Sequence, residues 1–377
     1  MSKTMRGRYS ISAVTAIAVL AMTFFVSADA PTTAPAGSWA FHGGGALLGR
    51  AAELPPPPMK LRWTYRADED GDAGIDGAAV IDESRVYVAD AKGVLHAIDL
   101  TSGERRWTYR AAVDGFAITP LICGERIIIG DLAGVVHAVS LAKGQKLWTR
   151  DTGAAINGSA NAAAPGAARV IVVNDAGKIL CLDVASGDII WTAQAADRIN
   201  GAPAIAGDTV YIAGCDAKLL ALNLADGAER FTADTGALTG GSPAVMEDRI
   251  VIGTDEGRVV CLAREGTKRL WSYEQINDRA MAYSSPAVSE QLVVIGARDR
   301  QVHAIDLASG KRIWTFKARL DVDSSPLIST GRVYVGSKDK SLYVLDLKRG
   351  ELIWEFKASR GITASPAIAG GVLVIGD

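Results

Sequence analysis

From about residue 60 to the end of the chain, short runs of alternating apolar and polar residues follow one another, separated by turns rich in Gly, Asp, Ser and Thr. Alternation with a period of two marks half-buried strands. No apolar period of 3.6 residues runs for a helical length outside the first 30 residues, so the chain is predicted to be all β. One well-preserved stretch shows four strands: Ser325–Ile328, Arg332–Gly336, Ser341–Asp346 and Leu352–Lys357. The same four-strand unit recurs every 40 to 44 residues. Repeats at that spacing indicate a propeller or a solenoid. Four short antiparallel strands per unit, repeated radially, make a propeller blade.

An aromatic residue marks the fourth strand of each unit: Trp63, Trp107, Trp148, Trp191, Phe231, Trp271, Trp314 and Trp354. A turn precedes it with the pattern Ala-x-Asp-x-x-Thr/Ser-Gly-x-x-x-Trp, as in Ala97–Trp107 and Ala304–Trp314. The Asp can accept bonds from its own downstream backbone, and the Gly takes φ > 0 without steric cost. The Trp is then placed to lie over the turn of the neighbouring blade. Burying it removes about 150–250 Å² from water, worth at most about 4–6 kcal/mol. These Trp residues are therefore read as structural docking groups. Two copies are degraded: Phe231 replaces Trp, and Cys261–Trp271 lacks the Asp and shifts the Gly by one. Those two junctions are expected to be the weaker ones.

The inner strands give a second count, beginning near Ala79, Pro120, Ala160, Pro203, Pro243, Pro286, Pro326 and Pro366. Both counts predict an eight-bladed β-propeller of four-stranded antiparallel blades. Trp63 precedes the first inner strand, so its strand is an outer strand supplied by the N-terminal side. The last unit stops at Asp377 after two strands, so the last blade is expected to be incomplete, without its third strand.

Residues 1–30 read as a secretory signal. Lys3, Arg6 and Arg8 lead, an apolar run from Ile11 to Val26 follows, and Ala28-Asp29-Ala30 is a cleavage pattern. Residues 31–58 form a Pro/Gly-rich tail in which Ser38–Gly45 could pack on the body as a plug or latch, and 59–377 is the propeller. The protein is expected to be secreted, periplasmic or extracellular, without a transmembrane segment after cleavage, and monomeric. Its formal charge of -2 becomes -4 without the leader, and no basic stripe is present, which leaves no footprint for nucleic acid. Cys123, Cys181, Cys215 and Cys261 lie in different units and read as small buried residues. His96, His137 and His303 share one repeat position, which reads as packing or surface rather than metal.

No nucleophile triad, metalloprotease, phosphate-loop or dinucleotide motif stands in a supporting context, and no catalytic or metal residue is assigned. The repeat frame supplies the binding candidates. Three residues before each inner strand sits one residue per blade, at the mouth of the central channel: Asp76, Asn157, Asn200, Tyr283, Asp323 and Thr363, with Ala117 and Gly240 in the remaining two. Ligand sites favour concave places with convergent polar groups. Asp76 and Asp323 are the pair that could help hold a cation.

The turn-and-Trp pattern resembles the tryptophan-docking motif of the pyrroloquinoline-quinone-like propeller repeats, over Leu61 to Asp377. In build, one bare propeller with a short N-terminal patch around Trp39, the chain is most similar to the BamB-like outer-membrane assembly propellers. That resemblance implies a non-enzymatic binding or scaffold module in the cell envelope, contacting envelope or extracellular proteins. The other branch, the quinoprotein dehydrogenases, implies an oxidoreductase or degenerate relative using pyrroloquinoline quinone (PQQ) with Ca²⁺. The adjacent Cys pair typical of those alcohol dehydrogenases is missing here, as is the lipidated Cys of the assembly lipoprotein. A ligand-sensing ectodomain is the third reading. The residues favour the first.

Overall fold

A computed structural model describes residues 22–27, 47–51, 56–68, 73–111, 115–164, 166–266, 268–274, 281–282 and 284–377. Among these residues every regular element is a β-strand, and all strand pairs within the sheets are antiparallel. Seven sheets have four strands and one has three. The sheets form a β-propeller in which each inner strand is followed by its hairpin partner, a third strand and an outer strand. The core lies between sheets. One apolar cluster joins Ile81, Val86 and Ile98 of the first unit to Ala369, Val372 and Val374 of the last, bringing the two ends of the repeat together.

The expected eight four-stranded blades need two corrections. Four strands are present in seven sheets only, and the short one is not the last. It is the sheet of Arg169–Val173, Lys178–Asp183 and Ile189–Gln194, whose inner strand is reduced to a single bridge between Asn161 and Ile171. The cause is local. The Asn161 side chain takes the backbone N–H of Ala162 at 2.8 Å and donates to Pro203 O at 2.8 Å, which turns the chain out of the ladder. The last unit, expected to lack its third strand, has one. Met22–Ser27 lies between Val372–Ile375 and Met59–Tyr65 and pairs with both. The strand of Trp63 does come from the N-terminal side, as expected.

The indole N–H of Trp63, Trp107, Trp148, Trp191, Trp271 and Trp314 donates to a turn carbonyl of the next sheet, at 2.9–3.3 Å. The ring lies flat enough on the turn glycine that a Cβ added to Gly103, Gly187 or Gly350 would fall 2.5 Å from it. Those glycines also have φ of +70° to +76°, so the position excludes side chains twice over. Trp354, on the sheet before the closing one, is partly buried and stacks on Phe356 at 6.1 Å. Each outer strand carries a register shift beside its aromatic, for example between Ala97 and Ile98, which aims the ring at its neighbour.

At the Phe231 junction the indole N–H is gone, and the shortened turn closes with Gly266 N to Ala263 O. Arg264 bridges there instead, donating to Ala206 O at 3.0 Å, Tyr211 Oη at 3.1 Å and Glu247 O at 3.3 Å. The degraded unit has replaced one inter-sheet bond with an arginine fork.

The turn aspartates act as caps. Asp99 accepts from the N–H of Thr101 and Ser102 at 2.9 and 2.8 Å. Burial pushes its carboxyl up, but Arg106 and these backbone donors outweigh burial and hold it at about 2. Asp183 is lowered by the Ser186 and Ala185 backbone, and Asp306 by Ser309. A carboxylate whose folded pKa is depressed stabilises above its unfolded value, 3.8 here, and that contribution is lost as the pH falls through the folded one. The melting midpoint should therefore fall steeply from about pH 4 to about pH 2. Asp99→Asn should flatten that fall, as read by circular-dichroism melts across the range.

Candidate functional site at the channel mouth

The loops that enter the inner strands and the turns between second and third strands lie on one face, because inner strands start there and second strands return there. On that face a cavity of about 170 Å³ opens at the centre. Of the sequence candidates, Asp76, Asn157 and Asn200 line it, together with Ala117 and Gly240. Asp323 and Thr363 are not among its lining residues, and Tyr283 lies outside the described residues.

The candidates are chemically uneven. Asp76 is exposed. Asn157 donates its amide to Asp175 Oδ2 at 2.8 Å. Asn200 points its amide at the Cys215 sulfur, 3.6 Å away, which Arg198 Nε also approaches at 3.4 Å. Asp323 is clamped by Arg298, with two bonds of 2.9 Å, and by Lys338 at 2.7 Å. Burial would raise its carboxyl, but these two cations outweigh burial and lower it. Asp76 and Asp323 are thus not brought together as a cation pair: one is in the cavity and the other is neutralised by its neighbours.

The repeat frame also holds a second ring that the sequence analysis passed over, one residue before each inner strand. Thr119, Ser159, Ser242, Ser285, Ser325 and Ser365 all line the cavity. Each of these six hydroxyl oxygens accepts a backbone N–H bond from this ring position of the preceding unit: Ala78 to Thr119, Thr119 to Ser159, Ala202 to Ser242, Ser242 to Ser285, Ser285 to Ser325, and Ser325 to Ser365, at 2.9–3.1 Å. The ring breaks where the acceptor would be Ala78 or Ala202. The signal was present in the sequence as a hydroxyl at this position in six units. Close approach of the sheets makes the ring work: a Cβ on Gly201 would fall 2.6 Å from Gly241 O, and one on Gly158 2.7 Å from Gly201 O. Ser285→Ala should cost about 1 kcal/mol by leaving the Ser242 N–H without its protein acceptor, read as a lower urea midpoint.

Below this ring the N-terminal tail enters the channel. Ile328 N donates to Gly49 O at 2.8 Å, Ala51 N to Ile328 O at 3.0 Å, and Val288 N to Leu48 O at 2.9 Å, so the tail pairs with the inward edges of two inner strands. Arg50 donates to Val288 O. Leu47 is fully buried with Ala204, Tyr211 and Val245. The patch expected to plug the body, Ser38–Gly45, lies outside the described residues, and it is Leu47–Ala51 that is seen against the inner strands.

His96, His137 and His303 are buried packing groups. Each bridges a Tyr of the preceding outer strand and an Asp of its own unit: Tyr65–His96–Asp90, Tyr109–His137–Asp131 and Tyr273–His303–Asp299, at 2.8–3.0 Å. The chains resemble catalytic relays but sit at 1–4% exposure. All four cysteines are unpaired and buried.

The mouth fits PQQ with Ca²⁺ poorly. Sites for molecules of that size occupy about 300–1,000 Å³. Asp76 is the one carboxylate in the described lining, and the described residues contain no group of three His, Cys, Asp or Glu placed to hold a metal.

Comparison with known proteins agrees with the repeat. A family profile described as "Outer membrane protein assembly factor BamB" matches residues 44–132, 132–284 and 280–377. No curated protein sequence matches the chain. Among solved structures, BamB from Moraxella catarrhalis matches at 19% identity over 82% of this chain and 94% of that one, with a TM-score of 0.68. The quinohemoprotein alcohol dehydrogenase from Comamonas testosteroni matches at 14% identity over 88% of this chain and 74% of its own, with a TM-score of 0.74. A europium-containing methanol dehydrogenase matches at 14% identity over 88% and 87%, with a TM-score of 0.71. At such identities the structural likeness speaks to the fold alone.

Proposed function

The chain belongs to the family described as outer membrane protein assembly factor BamB, and from that premise we propose that it is a non-enzymatic binding or scaffold propeller of the cell envelope. It is exported by residues 1–30 and works in the periplasm or outside the cell.

The observation that carries this reading is the channel. It is narrow at the mouth, Leu48–Ala51 bond to two of its inner strands, and its ring of hydroxyls holds the sheets together. What remains on the mouth face is a rim suited to protein contact. Asp76, Asn157 and Asn200 supply polar groups, and Leu132, Leu238 and Leu320 stand 38–45% exposed on the surrounding loops. Apolar anchors within a polar rim are the usual composition of a protein interface. No helix of the described residues is long and apolar enough to cross a membrane.

The test is a photo-reactive residue placed at Leu238 or Leu320 in the living cell, with Ile313 on the circumference as the control. Discrete adducts with envelope proteins are expected from the two mouth-face positions. Adducts from Ile313 alone would move the working surface off the mouth and overturn this assignment.

A further inference from the structure

A second cavity, of about 450 Å³, opens on the face opposite the mouth, between the first and second units. Cavities that hold small molecules occupy about 300–1,000 Å³. Three turns build it. Ser84 and Arg85 come from the hairpin turn of the first unit, and Glu125 and Arg126 from that of the second. Ser140 and Leu141 come from the turn on which Trp107 docks, and Leu147 from the outer strand that follows it. Arg85 is fixed at the wall: its Nη1 donates to Leu141 O at 3.0 Å and to Ala142 O at 3.3 Å.

Arg126 departs from its repeat position. The arginines that start other second strands clamp the turn of the next unit: Arg85 as above, Arg169 through Nη1 to Ala225 O at 2.9 Å, and Arg249 through Nη1 to Leu307 O at 2.8 Å. Arg126 makes no hydrogen bond and no ion pair with another described residue, and its Nε is enclosed without an acceptor. Register adds a second difference. Arg85, Arg169 and Arg332 stand opposite the turn aspartates Asp99, Asp183 and Asp346, whereas Arg126 stands opposite Ser140. A guanidinium enclosed on one side attracts an anion at its remaining nitrogens more strongly than one surrounded by water.

The lining also holds two carboxylates, in different states. Asp82 is committed to its own turn: Oδ1 accepts from Ser84 N and Arg85 N at 2.7 Å, and Oδ2 accepts from Tyr87 Oη at 2.7 Å. Glu125 is exposed, and its carboxylate has no partner among the described residues. Two cations against two anions give a polyanion no advantage here. A ligand carrying one charge of each sign gains at both ends. We propose that this cavity binds a small zwitterion of the amino-acid or dipeptide class with an apolar side chain. Its carboxylate lies between Arg85 and Arg126, whose planar forks suit that group. Its ammonium faces Glu125, and its side chain lies on Leu141 and Leu147, the latter 47% exposed. The site is separate from the mouth face and does not rest on the function proposed for it.

The probe is glycyl-leucine, titrated into the intact chain by calorimetry. Saturable binding at one per chain is expected. Glycyl-leucinamide, which lacks the carboxylate, and N-acetylglycyl-leucine, which lacks the ammonium, should each bind about tenfold more weakly or worse. Inorganic phosphate should not compete. Arg126→Met should lose about tenfold in affinity for glycyl-leucine while melting no lower than the parent, because it removes an enclosed donor that has no acceptor. Arg169→Met, which breaks a turn contact, should melt lower and bind normally. Glu125→Gln, at an exposed position, should weaken glycyl-leucine and abolish its advantage over the N-acetyl form. The proposal is overturned by no saturable binding of glycyl-leucine, by equal binding of the amide, by competition from phosphate, or by undiminished affinity in either cavity variant. An Arg126→Met chain that melts well below the parent overturns it too, by making Arg126 a structural clamp like Arg169.

Discussion

Trp314→Ala is expected to destabilise the protein by about 3–5 kcal/mol, the range for removing a large buried aromatic. Trp314 is 8% exposed and its indole N–H donates to Leu347 O at 2.9 Å. Its ring covers Gly350, where even a Cβ would stand 2.5 Å away. Truncation loses the apolar burial, opens a cavity against Val333 and Leu345, and leaves the turn carbonyl without its donor. The melting midpoint should fall by several degrees. Trp314→Phe should recover much of the packing but not the bond, as the natural Phe231 junction does. An unchanged melt for the alanine variant would remove the docking girdle from the explanation of this fold.

Leu47→Asp should be comparably severe. Leu47 has no solvent exposure and sits among Ala202, Ala204, Tyr211 and Val245, side chains that offer a carboxylate almost no compensation. Leu47→Ala should cost about 2–5 kcal/mol through the cavity it leaves. The aspartate should cost more, because an unpaired charge in an apolar site must be desolvated or protonated. The ordering Leu > Ala > Asp in denaturant midpoint checks that the tail is built into the channel. Equal midpoints for all three would mean that the tail only rests on the surface.

The docking girdle was legible because its determinants are local. Asp, Gly and Trp recur within eleven residues of each unit: Asp99 caps its turn, and Gly103 admits the ring of Trp63, which arrives from the preceding sheet. The mouth was legible as a place, since the frame put Asp76, Asn157 and Asn200 on one cavity. It was less legible as chemistry. Asp323 looked like a free carboxylate because its partner Arg298 lies 25 residues earlier, on the turn of the preceding sheet. The hydroxyl ring was overlooked because serine before an inner strand reads as a turn residue, and its purpose is visible only when the next sheet is alongside. The thin sheet at Asn161 turned on one side chain that captured a neighbouring backbone N–H, which no repeat pattern shows. Met22–Ser27 was hidden by composition. An apolar run behind three basic residues reads as an export signal, while its Thr, Phe and Val also suit a strand, and pairing partners at residues 59–65 and 372–375 lie far away in sequence.

The claim that most needs a direct measurement is that this propeller binds rather than catalyses. The purified chain should be titrated with pyrroloquinoline quinone in the presence of Ca²⁺, following absorbance together with dye-linked oxidation of alcohols and sugars. The narrow mouth and its single described carboxylate predict no saturable absorbance change and no oxidation above background. Stoichiometric quinone binding accompanied by turnover would contradict the account and make the mouth an active site.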